Sequence, residues 1–135
     1  WARTTGRPGV AVVTAGPGTT DAVTGMANAY RAESPMLLIG GNSALKQYRM
    51  GGLQELRHTE MMTPISKFAS LVVTTDRVAE MMGIAFREMY NGAPGPGFGA
   101  SSLSGGMRTA WPRSSRSFGC ARLPFTRTSP LRMIR

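Results

Sequence analysis

The chain has 135 residues, 41% of them hydrophobic, and a formal net charge of +9. That length holds one domain with a sizeable core and is too short for two ordinary ones. The charge is unevenly placed: residues 1–99 hold nine Lys/Arg and all seven Asp/Glu, and residues 100–135 hold seven Arg and no acid. The basicity therefore belongs to the tail and says nothing of the folded part. The single Cys120 excludes an internal disulfide, and no Cys/His set has the spacing of a metal site. No run reaches the roughly 18 apolar residues of a membrane helix, and no charged-then-apolar leader precedes the first elements. A cytoplasmic protein without a membrane partner is expected. The chain opens at Trp1, in what reads as the tail of a helix, so its natural start is expected upstream.

Arg7-Pro8-Gly9 turns the incoming helix into a strand, because proline cannot continue a helix and glycine accepts the positive φ of such turns. Val10 to Thr14 is an apolar run, as in a parallel strand covered on both faces. Gly16-Pro17-Gly18 follows, and Thr19, Thr20 or Asp21 then caps a helix whose stripe is Val23, Met26, Ala27 and Tyr30. Pro35 stops this helix, and Met36 to Ile39 forms a second strand ended by Gly40-Gly41, completing a right-handed βαβ unit.

Asn42 to Arg57, with Gly51-Gly52, predicts an irregular loop that leads to a short helix over His58 to Met62. Lys67 to Val73 predicts a third strand. Thr74-Thr75-Asp76 is expected to cap a helix with the stripe Val78, Met81, Met82, Ala85, Phe86 and Met89, its methionines serving as core filler. Gly97-Phe98-Gly99-Ala100 is a poor strand by composition. From Ser101 onward Val, Asp, Glu, Lys and Tyr vanish while Arg, Ser, Pro and Gly abound, so no ordered structure is expected there. The predicted class is α/β, a three-layer parallel sheet with helices on both faces. Residues 1–99 form the domain and residues 100–135 an irregular tail.

Ligands of open α/β sheets sit beyond the carboxyl ends of the strands, which is where Gly16-Pro17-Gly18 falls. The dinucleotide fingerprint requires glycine where Asp21 stands, and the Gly-Lys-Ser/Thr of a P-loop is absent. An acid at the first helical turn also opposes a phosphate there. The turn thus approaches a neutral or cationic part of a ligand, or is a tight connection with none. His58 is either an acid/base group near neutral pH or a capping or packing residue. Gln54-Glu55 either presents an amide and a carboxylate from a flexible loop to a site, or is an ordinary solvated loop.

In order and spacing, the segments ARTTGRPGVAVVTAGPGTTDAVTGMANAY, PMLLIGG, GGLQELRHTEMMTPISKFA and NGAPGP resemble the N-terminal pyrimidine-binding domain of thiamine diphosphate enzymes. The resemblance is to the group of acetolactate synthase, 2-hydroxyacyl-CoA lyase and oxalyl-CoA decarboxylase, and covers residues 1–97. It implies an enzyme that makes or breaks a carbon–carbon bond beside a carbonyl, acting on a 2-oxo acid or a 2-hydroxyacyl-CoA as a homodimer or tetramer. It further implies that Gly16, Pro17 and Gly18 lie beside the aminopyrimidine of thiamine diphosphate, with Asp21 where the family commonly has Asn. Gln54 matches the glutamine that faces the reacting centre, with Leu53 in place of an aromatic residue.

The family's activating glutamate precedes the Ala-Arg-x-Thr-Gly-Arg motif and is expected upstream of Trp1. Its Mg²⁺ and diphosphate are held by a separate C-terminal domain, so these residues offer no metal ligand and no turnover of their own. Ala93 stands where flavin-dependent members carry Arg, so FAD is not expected. After Pro96 the apolar strand of the family gives way to the Arg-rich run, which reads as a change of reading frame near residues 96–99. Two readings from other classes are an inactive remnant and a basic-tailed protein whose arginines contact nucleic acid phosphates; the tail's lack of interleaved aromatics argues against the latter.

Overall fold

A computed structural model describes residues 1–102. The irregular tail expected over residues 100–135 and its nucleic acid contacts fall, beyond residue 102, outside the described residues. A short helix α1 (Ala2–Thr5) ends at Gly6, whose φ of 68° reverses the chain into strand β1 (Gly9–Val13). Helices α2 (Pro17–Asp21) and α3 (Val23–Arg31) lead to β2 (Met36–Gly41). The long loop and helix α4 (His58–Met62) lead to β3 (Phe68–Val72), and helix α5 (Val78–Tyr90) leads to β4 (Gly97–Ser101).

The four strands form one parallel sheet in the order β1-β2-β4-β3. The last strand is thus internal, between β2 and β3, and it corrects the reading of Gly97 to Ala100 as a poor strand. Phe98 and Ala100 are fully buried. A Cβ at Gly97 would make ordinary contact with Met89 and Leu37, and one at Gly99 would meet nothing within 4 Å, so space does not account for the two glycines. Composition disfavours glycine in strands, and tertiary packing overrides it here.

Helices flank both faces of the sheet. On one face, Met26 of α3 and Met62 of α4 close over Leu38, Phe98 and Ala100. On the other, Ala85 and Met89 of α5 cover Leu37, with Ile39 and Phe68 beside them. The stripe read along α5 faces the core as expected. The stripe of α3 does not run to Tyr30, which is exposed; Ala29 is buried in its place.

β1 departs from the expectation that both its faces are covered. Its register pairs Val10 with Leu37 and Val12 with Ile39, so these valines share the α5 face. Helix α5 lies over the other strands, leaving Val10 and Val12 at 55% and 58% exposed. Among the described residues β1 is one edge of the sheet and β3 the other.

The capping expectations also change. α2 begins at Pro17, a residue without an N–H where none is needed, and Thr19 and Thr20 turn their hydroxyls back to the carbonyls of Thr14 and Pro17 at 3.1 and 2.9 Å. Thr75 to Arg77 form a single 3₁₀ turn ahead of α5 rather than a side-chain cap.

Because Phe98 is enclosed between two helical layers, Phe98→Ala is expected to destabilise the chain by about 3–5 kcal/mol in urea unfolding followed by circular dichroism. Val12→Thr, on the bare face, is expected to change stability by no more than about 0.5 kcal/mol. Equal effects would contradict the internal position of β4.

Candidate functional site

β1 delivers the chain to Gly16, where the backbone takes φ 62° and ψ −114°. An L side chain is strained there, and space forbids one as well. A Cβ on Gly16 would lie 2.7 Å from the Cβ of Gln54 and 3.1 Å from its Cα and carbonyl oxygen. The residue expected to bind cofactor and the residue expected to act in catalysis are therefore in backbone contact, although 38 positions apart in the chain. Gln54 is itself held at φ 60°, an uncommon conformation for a residue with a side chain and one that costs roughly 1–3 kcal/mol.

The rest of the turn is seated on the neighbouring strand end. The Gly16 carbonyl accepts the N–H groups of Thr19 and Thr20, both at 3.0 Å, which starts α2. A Cβ on Gly18 would meet the Thr14 methyl at 2.6 Å, and one on Gly41 the Ala15 nitrogen at 3.0 Å. Thr19 is fully buried against Gly40. Pro17 and Asp21 are exposed. Asp21 ends α2, and takes part in none of the ion pairs among the described residues.

Two further residues hold this juncture, and neither role was legible beforehand. The Gly16 N–H donates to Nε2 of His58 at 2.9 Å, in a buried bond. His58, at the start of α4, is 1% exposed, which decides for a packing residue over a solvent-facing acid or base. Burial lowers its pKa below the ordinary histidine value. Its Nδ1 is buried without a partner, as is the Ser43 hydroxyl oxygen. The only signal for His58 in the sequence was its spacing, four residues beyond Gln54.

The other residue is Glu55. Its carboxylate accepts the N–H groups of Gly51 and Gly52, both at 3.0 Å, and that of Arg49. These bonds, that from Arg49 foremost, hold its pKa below the usual carboxylate range. Glu55 is thus turned into its own loop, which for this residue decides for the ordinary loop over the carboxylate presented to a site. Beside the Gly16–Gln54 contact, Pro17, Gln54 and Leu53 are exposed, Leu53 at 91%, with Asp21 exposed at the end of α2. Two concavities lie elsewhere, one lined by Tyr30, Arg31, Lys67 and Pro94, the other by Trp1, Val10, Pro35 and Met36.

Comparison with known proteins bears on this juncture. Residues 1–61 match the thiamine pyrophosphate enzyme, N-terminal TPP binding domain. That span contains Gly16, Gln54 and His58. The chain is 42% identical over 97 residues to 2-hydroxyacyl-CoA lyase 2 of Danio rerio, covering 72% of this chain and 16% of the relative. It is 38% identical over 97 residues to 2-hydroxyacyl-CoA lyase 2 of Homo sapiens, covering 72% and 15%. It is 39% identical over 98 residues to the catabolic acetolactate synthase of Raoultella terrigena, covering 71% and 17%. The chain spans about a sixth of the length of these relatives.

Gly16→Ala is expected to lower stability by more than about 1 kcal/mol, since both φ and the Gln54 backbone oppose a Cβ. Gly25→Ala, where a Cβ meets nothing within 4 Å in the middle of α3, is expected to raise it by about 0.5–1 kcal/mol. Thermal unfolding of both variants checks the pair. For Glu55 the folded pKa is depressed, so its contribution is present above the unfolded value of about 4.3 and fades as pH falls through the folded pKa. The amide resonances of Gly51 and Gly52 should shift with a midpoint below about 4.3 in an NMR titration.

Proposed function

We propose that residues 1–99 are the pyrimidine-facing part of a thiamine diphosphate-dependent enzyme that makes or breaks a carbon–carbon bond next to a carbonyl, acetolactate synthase-like in its chemistry. The observation that carries this reading is the contact between Gly16 and Gln54. It joins the two segments to which the reading gives cofactor binding and catalysis, with the uncharged Pro17, Leu53 and Gln54 exposed beside it.

The residues present suit a flat, uncharged ring. Gly16 and Gly18 bring backbone close, Pro17 offers an apolar surface, and Gln54 offers an amide that both donates and accepts. They do not suit a diphosphate. Asp21 stands at the end of α2, and Lys67 is spent on the carbonyls of Asn91 and Ala93 at the opposite ends of the strands. In this reading Gly16, Pro17, Gly18 and Asp21 flank the aminopyrimidine, and Mg²⁺ and the diphosphate are held by another part of the protein. When bound, the cofactor supplies a carbon nucleophile and an electron sink, while the protein supplies orientation and electrostatics. The work of this chain's residues is to hold the ring and to aim the Gln54 amide at a substrate carbonyl.

The substrate class follows as a 2-oxo acid, acted on by a cytoplasmic homodimer or tetramer without FAD. A second reading, a 2-hydroxyacyl-CoA substrate as in 2-hydroxyacyl-CoA lyase or oxalyl-CoA decarboxylase, is favoured by the 42% identity to the fish lyase. The Leu38-Ile39-Gly40-Gly41-Asn42-Ser43 segment also favours it.

The test is an NMR titration of the ¹⁵N-labelled chain with thiamine, which carries the pyrimidine and no diphosphate. Shifts confined to Gly16, Gly18 and Gln54, weakened by Gln54→Ala, are expected. Perturbation elsewhere, or none, would count against the reading. Tight binding of thiamine diphosphate and Mg²⁺ by the chain alone would overturn the division of the site.

A further inference from the structure

We propose that His58 is the positioning residue of the Gly16-Pro17-Gly18 turn: its neutral imidazole accepts the Gly16 N–H at Nε2 and fixes the turn, and protonation of that nitrogen releases it. As a statement about a ligand-facing turn, this rests on the pyrimidine reading above; as a statement about the turn itself, it rests on geometry alone.

The Gly16 N–H is buried and has no backbone acceptor, because the turn at φ 62° directs it away from α2 and towards α4. Leaving such a donor unpaired is unfavourable. An amide can only donate, so the Nε2 that receives it is unprotonated and the ring proton sits on Nδ1. That nitrogen is buried and makes no hydrogen bond. An apolar side chain of similar volume, such as the neighbouring Met62, would fill the space without stranding a polar atom. What the imidazole adds is the acceptor for Gly16.

Gly16 is thereby clamped from two sides: the Gln54 backbone presses on its Cα, and His58 holds its nitrogen. Both clamps come from the segment 54–58, so the turn and Gln54 keep their relation only while both hold. A proton on Nε2 would set N–H against N–H and place a charge in a buried position. No group near it offers compensation. β3, β4 and the 3₁₀ turn Thr63–Ile65, which pack on α4, contain no titratable residue. On α4 and just before it, Glu60 and Arg57 are exposed and paired with each other at 3.2 Å. The loop brings Arg49 and Glu55, whose carboxylate is committed to backbone N–H groups, and α2 brings Asp21, exposed at its end.

Burial lowers the His58 pKa in the folded chain. Above about pH 6.5 the imidazole is neutral in both states and the full contribution is present. As pH falls below about 6.5 the unfolded chain takes up the proton first, and stability is lost until the folded pKa is passed and the turn opens.

The experiment is amide hydrogen exchange of the full chain at about pH 7.5 and at a lower pH where the His58 ring resonances show the imidazole protonated in the folded chain, with each rate corrected for its intrinsic pH dependence. Leu38, in the enclosed strand β2, serves as reference. Gly16 protection relative to Leu38 is expected to fall by about tenfold or more on acidification. His58→Gln, whose side-chain oxygen reaches the same place and does not titrate, is expected to keep it at both pH values. His58→Leu is expected to lose it already at about pH 7.5. Unchanged relative protection in the natural chain overturns the proposal, as does retention in His58→Leu. If His58→Leu does not fold, the Gln variant decides: a pH-dependent loss equal to that of the natural chain refutes the role. No ligand enters these measurements, so they stand apart from the cofactor reading. Repeating the thiamine titration at both pH values separates the two. A switching Gly16 with no thiamine shifts upholds the latch and rejects the ligand; thiamine shifts on Gly16 and Gly18 that ignore pH reject the latch and uphold the ligand.

Discussion

The bond from the Gly16 amide to Nε2 of His58 is the tie on which the site depends. It joins the end of the edge strand to a helix 42 residues further along the chain, and it is buried, so it acts in surroundings where a hydrogen bond is strong and its loss unfavourable. Around it two backbone conformations meet. Gly16 takes a positive φ where Gln54 occupies the space of a side chain, and Gln54 takes one itself, on a loop that Glu55 ties to Arg49, Gly51 and Gly52.

Strain of this kind persists only when the surroundings over-determine it, and it gathers where a backbone must present itself to something else. The match of residues 1–61 to the N-terminal TPP binding domain of thiamine pyrophosphate enzymes fits that pattern, since it spans Gly16, Gln54 and His58. Around this juncture Pro17, Gln54 and Leu53 are exposed, Glu55 is turned into its own loop, and Asp21 stands exposed at the end of α2.

Much of this was legible in the chain. The apolar runs at Val10, Met36 and Lys67 and the stripe of α5 announced a parallel α/β sheet, and Gly16-Pro17-Gly18 marked the turn at the carboxyl end of its first strand. What was not legible depended on distant partners. Gly97-Phe98-Gly99-Ala100 lacks the branched residues of a strand, and only its pairing with β2 on one side and β3 on the other, with Phe98 and Ala100 buried, makes it one. The alternation along β1 was hidden because every residue is apolar; the sheet order decides that Val10 and Val12 face outward. His58 was ambiguous because its partner is a backbone N–H, which leaves no trace in residue type.

The internal position of β4 also sets an order of events. β1 and β2 can pair as soon as residue 41 exists, but β3 touches neither; its only strand partner is β4. Until residues 97–101 are present, the sheet consists of two unconnected parts, and the core over Leu38 lacks Phe98 and Ala100. Such non-local closure is slow, and the unpaired strand edges that precede it are prone to associate with other chains. The last strand described here is the keystone: until residues 97–101 are in place, the first βαβ unit lacks the neighbour that joins it to β3.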